Sequence, residues 1–454
     1  MFLRDIISGG SYWLLSVLPG YYGRAFSSFS KKKKLYYRAK RKDLFALQRR
    51  RLINLLQIHS KNGIYSPLIK KIGIPRDENF DIYYYISQFP LLTKEFVQDN
   101  AESLLTPGGA GVYMNSSGGS TGVPLNFWQD YNYSVESLAT TFLSDSIQKW
   151  YPGCREARLW GAPKDLSKIE GPRGRFFLFL KNQLWLDSFN MGEARMAEYH
   201  KMLSAFRPRV LIAYASSAFV FARFLKESSI KPDYGLEAII TSAEMLYPHM
   251  RETIEEVFGV AVFNRYGSRE VGNIASECEK HGGLHLHMYD HIIEILPAAN
   301  SRHQFGCEGE ITVTCLNNFS MPFIRYKIGD LGVITNDYCS CGSETIMLKK
   351  ITGRSSDSII TREGRVIHGE YFTHIFYGMK GVRQFQFVQR DYQNYEARLA
   401  VSGDYDKNSE RDIKKECRQV LGADINLEII YLQNIEPSQA SGKYRFTISM
   451  LGTE

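Results

Sequence analysis

Short apolar runs alternate with helical segments through the first two thirds of the chain, and this alternation constrains the fold more than any other feature. The runs lie at residues 158–160, 210–214, 238–240 and 260–263. Strands separated by helices build βαβ units around a largely parallel sheet. The pattern therefore predicts a large N-terminal α/β domain whose ligands bind at the carboxyl ends of the strands.

The periodicity changes further along the chain. Ile311, Val313 and Cys315 alternate with threonines, which predicts an antiparallel subdomain with Cys315 in the core. A β-β-α-β pattern then begins near residue 354, with its helix at about 409–421. We expect a small C-terminal α+β domain, joined to the large domain by a hinge. The expected divisions are 1–51, 52–353 and 354–454.

One stretch, residues 115–124, is rich in glycine and hydroxyl residues (Asn-Ser-Ser-Gly-Gly-Ser-Thr-Gly-Val-Pro). Backbone amides that turn inward and hydroxyl donors suit a polyphosphate. The common P-loop is excluded, because Gly122 is followed by Val123 and Pro124 rather than by Lys and Ser or Thr. The alternative is a plain flexible loop. Val135, Leu138 and Phe142 predict a helix behind the stretch, so we expect it near a strand-to-helix turn.

Positive charge is concentrated near the N-terminus. Residues 31–51 hold eleven Lys and Arg against one acid, which gives this segment a net charge of +10. Because the whole chain has a net charge of +8, the remaining residues sum to −2. Residues 1–51 are therefore interpreted as a basic amphipathic arm. It either makes a peripheral contact with an anionic membrane surface or is a solvated helix. The body shows no base-reading pattern, so no nucleic-acid partner is expected.

The remaining composition indicates a cytoplasmic protein. Residues 6–18 are apolar but too short to span a bilayer, and they lack the features of a secretory signal. Seven cysteines, an odd number, do not form an extracellular disulfide framework. If the basic arm binds a membrane, the contact is at its inner face.

Six motifs occur in a characteristic order: SSGGSTGVP at 116–124, TSAE at 241–244, YGSRE at 266–270, YKIGDLG at 326–332, ITGRSSD at 351–357, and SGK at 441–443. In this order the chain resembles the adenylate-forming superfamily of acyl-CoA synthetases. Within it, the chain is similar to the phenylacetate-CoA ligase-like branch, which includes capsular-polysaccharide-biosynthesis members. The resemblance covers residue 50 to the end.

The resemblance implies an ATP site in the large domain and a catalytic lysine in the small one. Tyr266 would stack on adenine, Glu270 would bind Mg²⁺, and Lys443 would bridge the carboxylate and the α-phosphate. The residues implied for the phosphates are Ser116, Ser117, Gly118, Gly119, Ser120, Thr121 and Gly122; those implied for the rest of the nucleotide are Glu244, Gly267, Asp330 and Arg354. Such a site supplies positive charge where two anions meet.

A metal centre is also expected. Cys339 and Cys341, one residue apart before a glycine, make a chelating turn that a second Cys/His pair would complete for zinc. Similarity to relatives of this branch selects Cys278 and His285 as that pair. His281 has the tighter Cys-x-x-His spacing and stays an alternative ligand. The other interpretation is buried free cysteines and surface histidines.

The resulting hypothesis is an AMP-forming acid–thiol ligase. It would activate a carboxylic acid as acyl-AMP, release pyrophosphate, and transfer the acyl group to coenzyme A. The alternatives are an adenylyl- or acyltransferase of surface polysaccharide biosynthesis with another acceptor, and a silent membrane adaptor, which the full set of site residues disfavours. The expected acyl-pocket lining includes Trp160, Tyr214, Ala215 and residues near Ser242, which leaves the acid unspecified.

Overall fold

The structure, a computed structural model, divides into two units. The larger one runs to Ile328 and includes Val333–Lys350, and the smaller one comprises Gly329–Gly332 and the chain from Ile351 onward. The described residues are 20–61, 63–106, 110–117, 125–160, 171–188, 191–298, 302–354, 359–362, 366–367, 369–377, 379–436 and 445–451. None of the described helices is long and apolar enough to cross a membrane.

The helices and strands are numbered here in chain order. The helices are α1 (Tyr21–Arg38), α2 (Arg41–His59), α3 (Ser66–Ile72), α4 (Ile82–Ile86), α5 (Lys94–Leu104), α6 (Tyr131–Ile147), α7 (Gly171–Leu180), α8 (Glu193–Phe206), α9 (Ala215–Glu227), α10 (Pro248–Phe258), α11 (Gly369–Tyr377) and α12 (Ser409–Leu421). The strands are β1 (Tyr113–Ser116), β2 (Asn126–Gln129), β3 (Glu156–Trp160), β4 (Gln183–Asp187), β5 (Val210–Tyr214), β6 (Ala238–Ser242), β7 (Val262–Ser268), β8 (Gly272–Glu277), β9 (Leu284–Leu286), β10 (His291–Leu296), β11 (Gly309–Cys315), β12 (Tyr326–Thr335), β13 (Met347–Arg354), β14 (Ile359–Ile360), β15 (Val366–Ile367), β16 (Val382–Gln389), β17 (Asn394–Val401), β18 (Asn426–Tyr431) and β19 (Thr447–Ser449).

Eleven strands form one sheet in the order β10-β11-β12-β13-β9-β8-β7-β6-β5-β3-β4. The part from β7 to β4 is parallel, and the register aligns Tyr214 with Ser242 and Ser242 with Arg265. The carboxyl ends of these strands therefore lie along one edge. The four apolar runs correspond to β3, β5, β6 and β7, so the predicted α/β fold is confirmed. The pattern did not reveal β4, the edge strand.

The antiparallel strands extend the same sheet. Strands β8 and β9 each run antiparallel to their predecessor, and β10 pairs with β11 in the same sense. The predicted antiparallel region is thus a continuation of the parallel sheet. Cys315, at the end of β11, is fully buried as expected.

The N-terminal helices pack into the larger unit. Ala25, Phe26, Phe29 and Tyr36 of α1 are buried in one cluster with Phe142 of α6. The ring of Phe26 stacks on that of Phe142, with a centroid distance of 4.9 Å. Such an apolar face predicts a helix held by tertiary contacts. The described part of the expected N-terminal arm, residues 20–51, therefore belongs to the core of this unit.

Lys32 is buried on the same face of α1, with 1% of its surface exposed. Its Nζ lies 2.7 Å from Asp290 Oδ2 and 2.9 Å from Glu136 Oε2, while Arg51 Nη1 donates to Asp290 Oδ1 at 3.0 Å. Burial opposes ionisation of Asp290, but the charges of Lys32 and Arg51 outweigh it and hold its pKa well below the usual range. The cluster is therefore an ionised, paired one.

The smaller unit has its own sheet in the order β18-β17-β16-β19. Helix α12 has the bounds expected from the sequence and buries Ile413, Cys417 and Leu421. The rings of Phe372 and Phe387 stack at 4.0 Å in the core beneath the sheet. The predicted C-terminal α+β architecture is confirmed, and β14, β15, α11 and β19 are additional to the predicted elements.

Replacing Lys32 by Met should destabilise the larger unit by about 3 kcal/mol or more, because it leaves buried carboxylates with fewer cations. The control is Lys34→Met, because Lys34 is exposed on the same helix and its loss should change stability by less than about 0.5 kcal/mol. All five tryptophans precede residue 186, so urea unfolding followed by tryptophan fluorescence reports on this unit. Equal midpoints for the two variants would contradict a structural role for the buried pair.

Candidate active site and metal centre

Two paired strands flank the glycine-rich stretch. Strands β1 and β2 pair antiparallel, from Tyr113 opposite Gln129 to Ser116 opposite Asn126. Ser117 N donates to Leu125 O at 2.9 Å, and Leu125 N donates to Ser117 Oγ at 3.1 Å, which closes the base of the loop. Among the predicted phosphate ligands, Ser116 and Ser117 flank this base, whereas Gly118, Gly119, Ser120, Thr121 and Gly122 lie outside the described residues.

A short strand separates the glycine-rich stretch from the helix expected behind it, and the turn from this strand to the helix lies close to the stretch. Helix α6 does form behind the loop, but it begins at Tyr131, only after β2. Leu125 and Phe127 are fully buried, so the chain after the loop is held as a strand before the helix starts. Asp130 caps α6 through Tyr133 N at 2.7 Å, and its other oxygen accepts from Phe319 N at 2.7 Å.

A buried glutamine connects the hairpin to a second motif. Gln129 Nε2 donates to Arg269 O at 2.9 Å and to Glu270 O at 3.2 Å, and its Oε1 accepts from Asn115 Nδ2 at 3.1 Å. Only 1% of Gln129 is exposed, so these bonds are shielded from water. The base of the glycine-rich loop therefore lies against the turn that carries Glu270. No motif in the sequence marks Gln129.

The second motif, YGSRE, begins in β7 and ends in the turn to β8. Tyr266 and Glu270 are both buried, with 9% and 8% of their surfaces exposed. A Cβ at Gly267 would come within 2.4 Å of Gly272 O, so the close approach of β8 requires glycine there. Tyr266 and Glu270 are thereby presented from a tight hairpin at the carboxyl end of β7.

The TSAE motif ends β6 beside this hairpin. Glu244 Oε2 accepts a hydrogen bond from Ser216 N at 2.9 Å, at the start of α9. A carboxylate there satisfies an unpaired amide and complements the helix dipole. Ala243, between the strand and Glu244, has φ of 70°, which turns the chain sharply after the strand. Glu244 thus has a structural partner in this structure in addition to its predicted nucleotide role.

Two aromatic residues expected in the acyl pocket are in contact. The ring centroids of Trp160 and Tyr214 lie 4.3 Å apart. The two residues stand at the carboxyl ends of the adjacent parallel strands β3 and β5. Ser242 is aligned with Tyr214 in the register of β5 and β6, and Ala215 begins α9. The four residues therefore share the sheet edge that carries the motifs.

The remaining predicted nucleotide and catalytic residues lie on or after β12. Asp330 is in β12, within the segment Gly329–Gly332 of the smaller unit. Arg354 is the last residue of β13. Lys443 lies outside the described residues.

The four expected metal ligands come together. One ligand atom from each of Cys278, His285, Cys339 and Cys341 lies within 4.8 Å of all the others. Cys278 Sγ is 3.7 Å from Cys339 Sγ, and Cys341 Sγ is 3.4 Å from His285 Nε2. Three sulfurs and one imidazole nitrogen at these separations suit a tetrahedral zinc ion.

The imidazole of His285 is oriented for this role. Its Nδ1 lies 2.7 Å from Thr345 Oγ1, which leaves Nε2 directed at Cys341. A partner on one ring nitrogen fixes the other as a metal ligand. Burial lowers the pKa of His285 to about 4, so the ring is neutral at pH 7. His281 is outside the cluster, with Nδ1 3.1 Å from Glu277 Oε1, so the geometry selects His285 over His281.

The chain is similar in sequence to several known proteins. The chain is 28% identical over 413 residues to protein CapK of Staphylococcus aureus, covering 90% of this chain and 89% of CapK. It is 29% identical over 168 residues to a phenylacetate-coenzyme A ligase of Thermus thermophilus, covering 36% of this chain and 37% of that ligase. It is 25% identical over 341 residues to the phenylacetate-coenzyme A ligase of Escherichia coli, covering 70% of this chain and 73% of that ligase. A family model for the CapK C-terminal domain matches residues 359–450.

Solved structures show the same fold. A crystal structure of 2-hydroxyisobutyryl-CoA ligase in the postadenylation state aligns with a TM-score of 0.70 at 17% identity, covering 89% of each chain. The structure of ATP-bound MatB from Rhodopseudomonas palustris aligns with a TM-score of 0.51 at 16% identity, covering 72% of this chain and 65% of MatB. The chain is thus a homologue of CapK and of the phenylacetate-coenzyme A ligases, with the fold of the adenylate-forming acyl-CoA ligases.

Proposed function

We propose that the protein is an ATP- and Mg²⁺-dependent acid–thiol ligase that forms AMP. The observation that carries the proposal is the contact of Gln129 with Arg269 O and Glu270 O. It joins the loop expected to hold phosphates to the buried carboxylate expected to hold Mg²⁺, at the edge of the sheet where Tyr266 and Glu244 also lie. The homology to phenylacetate-coenzyme A ligases supports this reaction.

In this proposal, a carboxylate oxygen of the substrate attacks the α-phosphorus of ATP and pyrophosphate leaves. The thiol of coenzyme A then attacks the acyl carbon, and AMP leaves. Ser116, Ser117 and the loop they flank bind the phosphates, Asp330 and Arg354 bind the ribose, and Lys443 neutralises the charge that develops between the two anions.

A second candidate retains adenylation but changes the acceptor. CapK is similar to this chain over nearly its whole length, and the matched C-terminal domain is also that of CapK. Together with the resemblance to capsular-polysaccharide-biosynthesis members of this branch, it makes transfer of an acyl or adenylyl group to a non-CoA acceptor the alternative. Acid-dependent release of pyrophosphate, without any thioester when coenzyme A is added, would identify this alternative.

Exchange of radiolabelled pyrophosphate into ATP, with Mg²⁺ and a broad panel of carboxylic acids, tests the first step. We expect exchange with one class of acid, and its loss by at least about 100-fold in Lys443→Ala, because a cation is removed from the transition state. The control is Lys415→Ala, which removes an exposed lysine of the same unit and should leave exchange unchanged. Normal exchange in Lys443→Ala would refute the assigned role of this lysine.

We also propose that Cys278, His285, Cys339 and Cys341 hold a structural zinc ion. The support is geometric: one ligand atom from each of the four residues lies within 4.8 Å of all the others, and three of the four are sulfurs, which zinc prefers. Such an ion would pin the turn of Cys339 and Cys341 to the strand that carries His285. It would support the fold rather than the reaction.

Elemental analysis of protein purified without chelator should find about one zinc per chain. Cys341→Ser should lose the metal and unfold at a lower temperature, because metal binding contributes to folding. Cys307→Ser, which changes an exposed cysteine outside the cluster, should keep it. A zinc content below about a tenth of an equivalent per chain in the wild-type protein would rule out the zinc site.

A peripheral contact with the inner face of the cytoplasmic membrane is the third part of the proposal. Arg24, Lys31, Lys34 and Arg38 are exposed and recur at helical spacing along the outer face of α1. This stripe suits an anionic lipid surface. Deleting residues 1–51 is an unsuitable test, because it would also remove buried Lys32 and Tyr36.

Reversing three charges of the stripe (Lys31, Lys34 and Arg38, each to Glu) should abolish sedimentation with anionic liposomes, because each basic residue contributes about 1 kcal/mol at such a surface. The matched control reverses Arg411, Lys415 and Arg418, which are exposed on α12, and should sediment like the wild-type protein. Equal wild-type binding to neutral and anionic vesicles would contradict electrostatic attachment.

A further inference from the structure

Helix α7 carries large apolar side chains on a side that faces solvent. Phe176 and Phe177 have 60% and 59% of their surfaces exposed, and Phe179 has 37%. All ten residues of α7 are described, and only Gly174 among them is buried. A helix between two parallel strands ordinarily buries its apolar face on the sheet. Phe176 and Phe177 therefore contribute little to the core of the larger unit.

These residues share one face of the helix. Phe179 and Leu180 follow Phe176 by three and four residues, and Phe177 precedes Leu180 by three, so the four side chains form one apolar patch. Gly174 is two residues before Phe176 and thus lies on the opposite, buried side. The helix leads into β4, the edge strand of the large sheet. An exposed apolar patch of this kind marks an interaction surface.

Positive charge borders the patch. Residues 171–186 include Arg173, Arg175 and Lys181 and no acidic residue, and both arginines are exposed. Apolar rings with cations at their margin suit an anionic bilayer, because long basic side chains reach the headgroups while the rings enter the apolar layer. A twofold dimer through the same patch would bring these cations close to those of the second copy, which disfavours it.

The patch adjoins the helix that carries the basic stripe proposed above for anionic lipid. Lys181 Nζ lies 5.5 Å from the centre of the Tyr22 ring, near the start of α1, which is a cation–π distance. Arg24, two residues further along α1, is exposed and is the first cation of the stripe. Neighbouring helices thus offer rings and charges. Stable attachment to a membrane generally needs two such contributions.

We propose that α7 inserts Phe176 and Phe177 into the boundary between the headgroups and acyl chains of an anionic membrane. The inference rests on the peripheral membrane contact of the proposed function, and it adds an apolar contribution to that contact. The charges of α1 attract the protein to the surface, and the rings of α7 hold it there. Salt screens the first contribution and leaves the second in place.

The double variant Phe176→Ser with Phe177→Ser tests this insertion in the full chain. On vesicles of phosphatidylcholine with about a third phosphatidylglycerol, we expect its partition coefficient to fall about 100-fold, because each inserted ring contributes about tenfold. Both side chains are exposed, so the unfolding temperature should stay that of the wild-type protein. The matched control, Phe96→Ser with Phe305→Ser, removes two other exposed phenylalanines of the larger unit and should bind normally.

Quenching by lipids that carry bromine on their acyl chains reports insertion directly. Phe177→Trp keeps an aromatic ring in the patch and should bind vesicles like the wild-type protein. Its fluorescence should be quenched more strongly than that of the five native tryptophans. Phe96→Trp, on α5, is the control and should show no additional quenching. A protein held by charge alone would place no ring within reach of the bromine atoms.

Unchanged vesicle binding by the serine variant would overturn the inference, as would equal quenching in Phe177→Trp and wild-type protein. A wild-type dimer that the serine substitutions dissociate, with vesicle binding unaffected, would assign the patch to a second copy of the chain instead. No binding of wild-type protein to anionic vesicles would reject the membrane contact and the insertion together. Loss of binding in the serine variant, with no effect of reversing the charges of α1, would support insertion and reject the electrostatic contact alone.

Discussion

The buried ion pair between Lys32 and Asp290 determines how the N-terminal helices pack. A lysine ammonium is tolerated in a core only where carboxylates and oxygen acceptors surround it, and Asp290, Glu136 and Thr140 do so here. This requirement sets the register of α1 on the larger unit. One helical turn further along, the same register brings Tyr36 onto His285. The charge cluster and the metal cluster therefore depend on the same placement of one helix.

This packing changes the meaning of the basic segment. Of its eleven cations, Lys32, Lys40, Arg41, Arg50 and Arg51 contact acidic side chains or backbone carbonyls of the larger unit. Lys40 Nζ and Arg41 N both donate to the carboxylate of Glu344, three residues after Cys341. Five of the eleven cations are thus engaged within the larger unit, whereas Lys34 and Arg38 on α1 and Lys42 on α2 are exposed.

The candidate active site is positioned by the backbone more than by its own side chains. The glycine-rich loop begins and ends at a closed hairpin, Glu270 is held through its carbonyl by Gln129, and Gly267 allows two strands to approach closely. The two proposed functions share adenylation as their first step. The acceptor of the activated group separates the two proposals, and this choice depends on pocket chemistry that lies beyond these backbone contacts.

The sequence alone determined the fold class, because the period of its apolar residues separates parallel strands, antiparallel strands and helices. The residues proposed for the nucleotide site also come from motif order alone, and the bounds of α12 followed from its pattern. Tertiary structure decided the rest. Gln129, Tyr36 and Thr345 carry no motif, since their contacts are with partners at least 60 residues away along the chain. Only the tertiary structure shows that His285, rather than His281, lies in the cysteine cluster, and that the basic helices pack into the larger unit. Spacing along a chain does not specify which side chains meet.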